Sequence, residues 1–365
     1  MKSNAFRTIW LKDKETVEVI DQRVLPHRLE TVVLKTVDDV VDAIKKMIIR
    51  GAPLIAATAG YGVYLALLEK QKNNLDDAFI KSAFDKLAAS RPTAVNLFWA
   101  LNRMKKVVFA ETDTTKQIEK ALLEANNIVE DDVETCRMIG VHGLPIIEEI
   151  WNKNGHKPVQ ILTHCNAGML GCIEWGTITS PIYQAKAKGI DVHVWVDETR
   201  PRGQGSNLTA FELTKHEIPH TLIVDNTGGH LMQHGMVDLV LVGTDRTTRE
   251  GDVANKIGTY LKALAAHDNK IPFYVALPST SIDWTIRNGL NEIPIEERDE
   301  NEVKNVFGKL PNGELASVLI CPETTKAANY GFDVTPARLV TKLITERGVC
   351  EANETGLLHL FPEKK

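Results

Sequence analysis

The strongest constraint on the fold is a change in the spacing of apolar residues near position 158. Beyond it, apolar runs of strand length recur: "VQILTH", "DVHVWVDE", "HTLIVDN", "DLVLVGTD", "PFYVALP" and "ASVLICPE". Helical segments such as "TITSPIYQAKAKGI" and "LTAFELTKHEI" stand between them. Short, continuously apolar strands alternating with helices argue for a parallel sheet covered on both faces. Before position 158 the pattern differs. Residues 4 to 35 carry short alternating runs, "TVEVIDQ" and "LETVVLKT", read as small strands. Helical patterns follow, among them the almost uniformly apolar "APLIAATAGYGVYLALLEK", which reads as a buried helix, and the longer "TTKQIEKALLEANNIVEDDVETCRMIG". The expected fold is therefore α/β, with a Rossmann-like parallel-sheet C-terminal domain over residues 136–365. A smaller, mainly helical N-terminal domain with short strands is expected over residues 1–135.

Composition narrows the function. The chain has 365 residues, a formal charge of −5 and no Lys/Arg-rich run, which gives no support for nucleic-acid binding. The N-terminal "MKSNAFRTIWLKDKETVEVI" has no apolar core of a signal peptide. No apolar stretch is expected to reach the ~18 residues needed to cross a bilayer. Cys136, Cys165, Cys172, Cys321 and Cys350 are scattered, with no C-x-x-C pair. An odd number of cysteines without a leader points to reduced thiols and a cytoplasmic location.

In parallel sheets of this kind, ligands sit beyond the carboxyl ends of the strands. Those ends read "THCNAG", "DETRPRGQG", "DNTGG", "TDR" and "PSTS". Any single polar end is what a loop requires, but together they suggest a pocket for a small, oxygen-rich ligand. Cys165 lies at the first end, before Asn-Ala-Gly. Its thiolate could be stabilised by a following helix N-terminus, or the residue could be a small buried hydrophobe. Asp245 has two readings as well: an ion-pair partner of Arg246 or another cation, or a partly desolvated carboxyl group that delivers a proton. Lys256 follows Asn255 near a helix start and suits a phosphate or a sugar hydroxyl, or else is an ordinary solvated lysine. Arg50-Gly51-Ala52 pairs a guanidinium with a glycine turn, and Arg91 precedes Pro92 at a second expected helix start. Two arginines at turns suggest phosphate recognition.

Other chemistries find less support. His230 and His234 share a helix face, but "HLMQH" lacks the glutamate of H-E-x-x-H, and no metal is expected. There is no Walker loop, EF-hand loop or Ser-His-Asp ordering. The absence of G-x-G-x-x-G after the first strand argues against a generic Rossmann oxidoreductase.

The blocks "IRGAPLIAATAGYG", "RPTAVNLFWALNRM", "LTHCNAG", "DETRPRGQGSNLTAFEL", "VGTDRTTREGDVANKIGTYLKALAA" and "IPFYVALPSTSID" together resemble the methylthioribose-1-phosphate isomerases. That family belongs to a superfamily that also holds the regulatory alpha, beta and delta subunits of eukaryotic initiation factor 2B. The resemblance runs from about residue 15 to residue 348. It implies an aldose–ketose isomerase of methionine salvage, converting S-methyl-5-thio-α-D-ribose 1-phosphate to the 1-phosphate of the matching ribulose. It implies no cofactor, no metal and a homodimer. It makes Cys165 and Asp245 the catalytic pair and places Arg50, Gly51, Ala52, Arg91, Gln204, Asn255 and Lys256 around the substrate. Two blocks depart from the family pattern: the segment after Cys165, "AGMLGCIEWGTITSPIYQAKAKG", and "GTDRTTREGDVANK". Both adjoin the expected site, so a related 5-substituted ribose 1-phosphate, such as 5-deoxyribose 1-phosphate or ribose 1,5-bisphosphate, is an alternative substrate. A non-catalytic regulatory subunit is the alternative of another class, but such a subunit need not keep both the thiol and the carboxyl group.

Overall fold

A computed structural model describes residues 6–91 and 94–365. The chain divides into two compact units. The first comprises residues up to Met138, Ala167–Ser180 and Pro278–Ser281, and the second Ile139–Asn166, Pro181–Leu277 and Ile282–Lys365.

In the first unit, β1 (Ile9–Asp13), β2 (Thr16–Ile20) and β3 (Thr31–Leu34) form an antiparallel sheet in that order. Helix α1 (Val37–Lys45) starts on a reciprocal cap in which Thr36 accepts from the Asp39 N–H and the Asp39 carboxylate accepts from the Thr36 N–H. Helix α2 (Ala52–Asn73) is buried on nearly every side. Contrary to the sequence expectation, it is long and apolar enough to cross a membrane by length and composition, yet 83% of its most apolar window is buried inside the fold. It serves as a core helix, flanked by α3 (Asp77–Ala88) and α4 (Val95–Val108) and packed through Leu54, Ile55, Val63, Leu65 and Leu67. Helix α5 (Thr114–Lys153) is longer than its sequence pattern suggested and carries Pro145 in its interior.

The second unit is built on a seven-stranded sheet. Its first strands are β4 (Val159–Thr163), β5 (Val192–Asp197), β6 (His220–Ile223) and β7 (Leu239–Val242). Helices α6 (Thr179–Ala187), α7 (Ala210–Lys215) and α8 (Thr227–Gln233) come between them in the chain. Past β7 the chain makes β8 (Arg246–Thr248) and β9 (Val253–Lys256), which pair antiparallel, then α9 (Thr259–Asp268) and β10 (Phe273–Ala276). After β11 (Ile282–Asp283) come the β12 (Asn305–Lys309) and β13 (Leu315–Leu319) hairpin, β14 (Phe332–Thr335), β15 (Lys342–Thr345) and β16 (Gly348–Cys350). The main sheet has the order β16-β15-β10-β7-β4-β5-β6, and every pairing is parallel except that of β15 with β16. Strands β8, β9, β11 and β14 form a smaller mixed sheet.

One expected strand belongs elsewhere. "ASVLICPE" is not in the parallel sheet: it supplies β13 of a separate hairpin, where Val318 and Leu319 are exposed. The outer parallel strand is instead β15, whose Leu343 and Ile344 are buried, Leu343 in the core that contains Phe273 and Val275. Both segments are apolar, so local pattern alone does not separate them.

Candidate active site

Counting only the parallel strands, β4, β5, β6, β7, β10 and β15 are first to sixth in the chain but lie in the order sixth, fifth, fourth, first, second, third. The first crossovers from β4 run one way across the sheet, and β7 then starts on the other side of β4. The loops that leave β4 and β7 therefore part in opposite directions, which opens a crevice at their carboxyl ends. Cys165 stands two residues beyond β4, and Asp245 three residues beyond β7. Leu162 is paired with Val240, so the two strands leave the sheet in step.

Cys165 is held in a demanding conformation. Its φ of +69° lies in the left-handed region that side chains other than glycine rarely occupy. Its neighbours maintain it. The Cys165 N–H donates to Thr199 Oγ1 at 2.8 Å, and Thr209 Oγ1 donates to the Cys165 carbonyl at 2.7 Å. Asn166 Nδ2 donates to Thr209 Oγ1 and to Glu212 Oε1, at 3.1 and 2.9 Å. Thr199, itself at φ +63°, ties this arrangement to the end of β5 through Asp197 O. The helix expected just after Cys165 does not form there. Met169–Gly171 make a single 3-10 turn, and α6 begins only at Thr179. A helix dipole at Asn166 is therefore not what acts on the thiol.

His164, named in the sequence only as part of a polar strand end, anchors the other side. Its ring is buried, with Nδ1 2.8 Å from Asp197 Oδ2 and Nε2 2.8 Å from the Ile257 carbonyl. The ring thus bridges the end of β5 and the loop after β9, with one nitrogen facing each. Gly258, at φ +101°, makes the approach possible, because a Cβ there would lie 3.2 Å from the His164 ring. Lys262 Nζ is 3.2 Å from Asp197 Oδ2 and also donates to the Asp225 carbonyl. His164, Asp197 and Asp225 have the composition of a metal site, but the Lys262 ammonium already supplies a cation to this group. Asp333 caps the start of α9 through the Gly258 and Tyr260 N–H groups. Burial pushes its carboxyl up, and those two donors, with His164 and Lys262, oppose the shift.

Asp245 departs from the ion-pair reading. Arg246 pairs instead with Asp283 at 3.7 Å, and burial pushes the Arg246 guanidinium down while Asp283 opposes this. The Asp245 N–H donates to Ala254 O, but among the described residues its carboxylate has no hydrogen-bond or ion-pair partner. It is half-buried at the sheet edge. Asn255 and Lys256 lie near a helix start, as expected, because α9 is capped by Gly258; they themselves end β9, the partner of the strand that Arg246 begins. Both are buried. Asn255 Nδ2 donates to Thr259 Oγ1 at 3.0 Å, and Lys256 Nζ donates to Gly331 O at 2.9 Å while lying over the Phe332 ring. Gln204 is buried, and among the described residues its Oε1 has no hydrogen-bond partner. It leads into a π turn, Gly205–Thr209, that packs on the end of β5: a Cβ at Gly205 would meet the Asp197 carbonyl at 1.7 Å. In the second unit, then, Cys165, Gln204, Asp245, Asn255 and Lys256 all lie at the carboxyl edge of the sheet or in the strands that extend from it.

Arg50, Gly51, Ala52 and Arg91 belong to the first unit. Gly51 caps α2 at φ +95°, and a Cβ there would come within 2.2 Å of the Gly171 carbonyl, so this turn requires glycine. Arg91 lies in the loop before α4, while Pro92, where a helix start was expected, lies outside the described residues. Of the remaining candidates, His230 and His234 lie on α8 and its cap with ring centroids 4.2 Å apart and planes tilted by 43°, and among the described residues no third ligand joins them.

Strand order and site together define an α/β protein of Rossmann-like architecture whose polar crevice lies at a topological switch point. The chain belongs to the initiation factor 2 subunit family, whose pattern matches residues 48–352. It is 58% identical over 362 residues to a methylthioribose-1-phosphate isomerase of Desulfatibacillum aliphaticivorans, covering 98% of each chain. A crystal structure of 5-methylthioribose 1-phosphate isomerase from Pyrococcus horikoshii OT3 matches with a TM-score of 0.84 and 38% identity, over 98% of this chain and 96% of that one. One of the translation initiation factor eIF-2B delta subunit from A. fulgidus matches with a TM-score of 0.79 and 36% identity, over 98% and 99%.

Proposed function

We propose that this chain is an aldose–ketose isomerase that converts S-methyl-5-thio-α-D-ribose 1-phosphate to S-methyl-5-thio-D-ribulose 1-phosphate, a step of methionine salvage. The observation that carries this reading is the placement of a thiol and an unengaged carboxyl group on the two strands that bound the switch-point crevice. Near-identical length and high identity to the isomerase of Desulfatibacillum aliphaticivorans support the choice of substrate.

The chemistry assigns each group a task. Phosphate on the anomeric oxygen locks the sugar as a ring, so the bond from C1 to the ring oxygen must break first. Asp245, protonated, gives its proton to that oxygen, which leaves as a hydroxyl. Cys165 as thiolate then takes the proton from C2, which forms an enol phosphate, and returns it to C1. The C2 hydroxyl proton passes to the Asp245 carboxylate, directly or through water, which restores the acid as C2 becomes the ketone. A carboxyl and a thiol in divergent surroundings suit this division into acid and base. In this reading Gln204, Asn255 and Lys256 bind the sugar, and Arg50, Gly51, Ala52 and Arg91 bind the phosphate and hold it in position. The same reading makes the enzyme a cytoplasmic homodimer. Exposed apolar side chains on the β12–β13 hairpin, Val306, Phe307, Val318 and Leu319, support association.

Turnover of three ribose 1-phosphates, bearing 5-methylthio, 5-deoxy or 5-phospho groups, tests the proposal. The expected result is highest kcat/KM for the methylthio compound. Preference for another of the three moves the assignment to that substrate, and no turnover of any overturns the isomerase reading in favour of a regulatory subunit. Deuterium entering C1 from heavy water is expected for the proton route. Complete retention of the C2 hydrogen replaces that route with a hydride shift.

A further inference from the structure

A second group of reactive side chains lies in the first unit, formed by residues that the isomerase chemistry does not use. Asp132 and Cys136 are one turn apart on α5 and so share a face. Cys172 joins them from the chain just after the Met169–Gly171 turn. One carboxylate oxygen and the two Sγ atoms all lie within 4.8 Å of one another, with Cys136 Sγ 3.8 Å from Asp132 Oδ1. Both cysteines are buried, and neither is in a disulfide. Asp132 Oδ2 is buried with no hydrogen-bond partner, and among the described residues Asp132 has no ion pair. The nearby Arg7 is engaged by Glu130 and Glu174. The contrast with the His164 group is informative: there a lysine balances the carboxylate, whereas Asp132 has no such partner.

We propose that Asp132, Cys136 and Cys172 form a binding site for a divalent cation of the zinc class. Two sulfurs and one carboxylate favour a borderline-soft ion over magnesium or calcium. Zinc bonds of ~2.3 Å to sulfur and ~2.0 Å to oxygen at tetrahedral angles put neighbouring ligand atoms about 3.5–3.8 Å apart. The separation of Cys136 Sγ from Asp132 Oδ1 matches that spacing. Three protein ligands leave the fourth tetrahedral position to a water molecule. Binding releases the two thiol protons and any proton on Asp132, and the metal gains two thiolates and a carboxylate without redox change. The effect on the fold follows from connectivity. Cys172 adjoins Gly171, whose backbone seats against Gly51, so the bound ion fastens α5 to the segment that shapes the Arg50–Ala52 turn.

The test uses the full chain, reduced and stripped with a chelator, then titrated with cobalt(II) and separately with zinc. Expected are thiolate-to-cobalt absorption that saturates at one ion per chain and bleaches with zinc, and a melting temperature that rises by several degrees with zinc. Cys165→Ser should leave the spectrum unchanged. Asp132→Asn and the double variant Cys136→Ser/Cys172→Ser should each weaken or abolish it, with circular dichroism confirming that they fold. If the double variant does not fold, the wild-type titration together with Asp132→Asn decides alone. No stoichiometric cobalt spectrum in the wild type, a spectrum lost with Cys165→Ser, or one untouched by both Asp132→Asn and the double variant overturns the site.

Discussion

Cys165 and Asp245 leave adjacent parallel strands at the one place in the sheet where the direction of strand addition reverses. Placed at the ends of non-neighbouring strands, the same two residues would not bound one crevice. The chemistry proposed for them therefore depends on a topological fact as much as on their identities.

Cys165→Ser and Asp245→Asn are each expected to lower kcat by at least ~10²-fold, the range over which acid–base groups act. Both variants keep the backbone atoms that hold the loop, so their melting curves should stay close to wild type. Ketose formation followed by phosphorus NMR measures the first quantity and calorimetry the second. Near-normal turnover in either variant removes that residue from the mechanism.

His164 should behave as a positioning residue. Its ring joins Asp197 to the Ile257 carbonyl, and the next residue is Cys165 in its strained conformation. His164→Gln cannot reach both partners with the same geometry. A loss of ~10²-fold in kcat is expected for a small displacement of the thiol, with little change in KM. A proportionate rise in KM with unchanged kcat would place His164 in substrate binding instead.

Two glycines are expected to be irreplaceable for steric reasons. Gly51→Ala forces a Cβ against the Gly171 backbone at a positive φ, and Gly205→Ala drives one into the Asp197 carbonyl. Backbone strain and overpacking each contribute about 1–3 kcal/mol, so both variants should lose about 2 kcal/mol or more of stability in urea denaturation. An alanine at either position with wild-type stability would contradict the packing described.

The pH dependence of stability has a specific contributor. Burial pushes the Glu302 carboxyl up, but Arg298 and Arg202 outweigh it and hold it down at about 2. A depressed carboxyl stabilises the fold above its unfolded value and loses that contribution as pH falls through the folded one. Glu302→Gln should therefore cost roughly 1 kcal/mol, after allowance for solvent screening, at pH 6–8. The difference from wild type should shrink as pH falls from about 4.5 towards about 2. A deficit independent of pH would show that packing, and not charge, is what the substitution removes.

Much of this protein is legible along the chain because the signals are local. An apolar run such as "VQILT" bounded by polar residues announces a buried strand, and the uniform apolarity of "APLIAATAGYGVYLALL" announces a core helix, since each reports only which sides of a segment meet water. Those patterns, with the blocks that the chain shares with its relatives, sufficed for the α/β class and for the candidate thiol and carboxyl group. Long-range pairing decided the rest. It put β15 and not the equally apolar "ASVLI" into the parallel sheet, made Asn255 and Lys256 strand residues, and turned Arg246 to Asp283, leaving the Asp245 carboxylate unpaired among the described residues. It also brought Cys172 to Asp132 and Cys136, although nothing in their spacing signals a cluster. Periodicity records burial, whereas strand order and side-chain partners depend on which distant segments bury one another, and that is settled only when the whole chain packs.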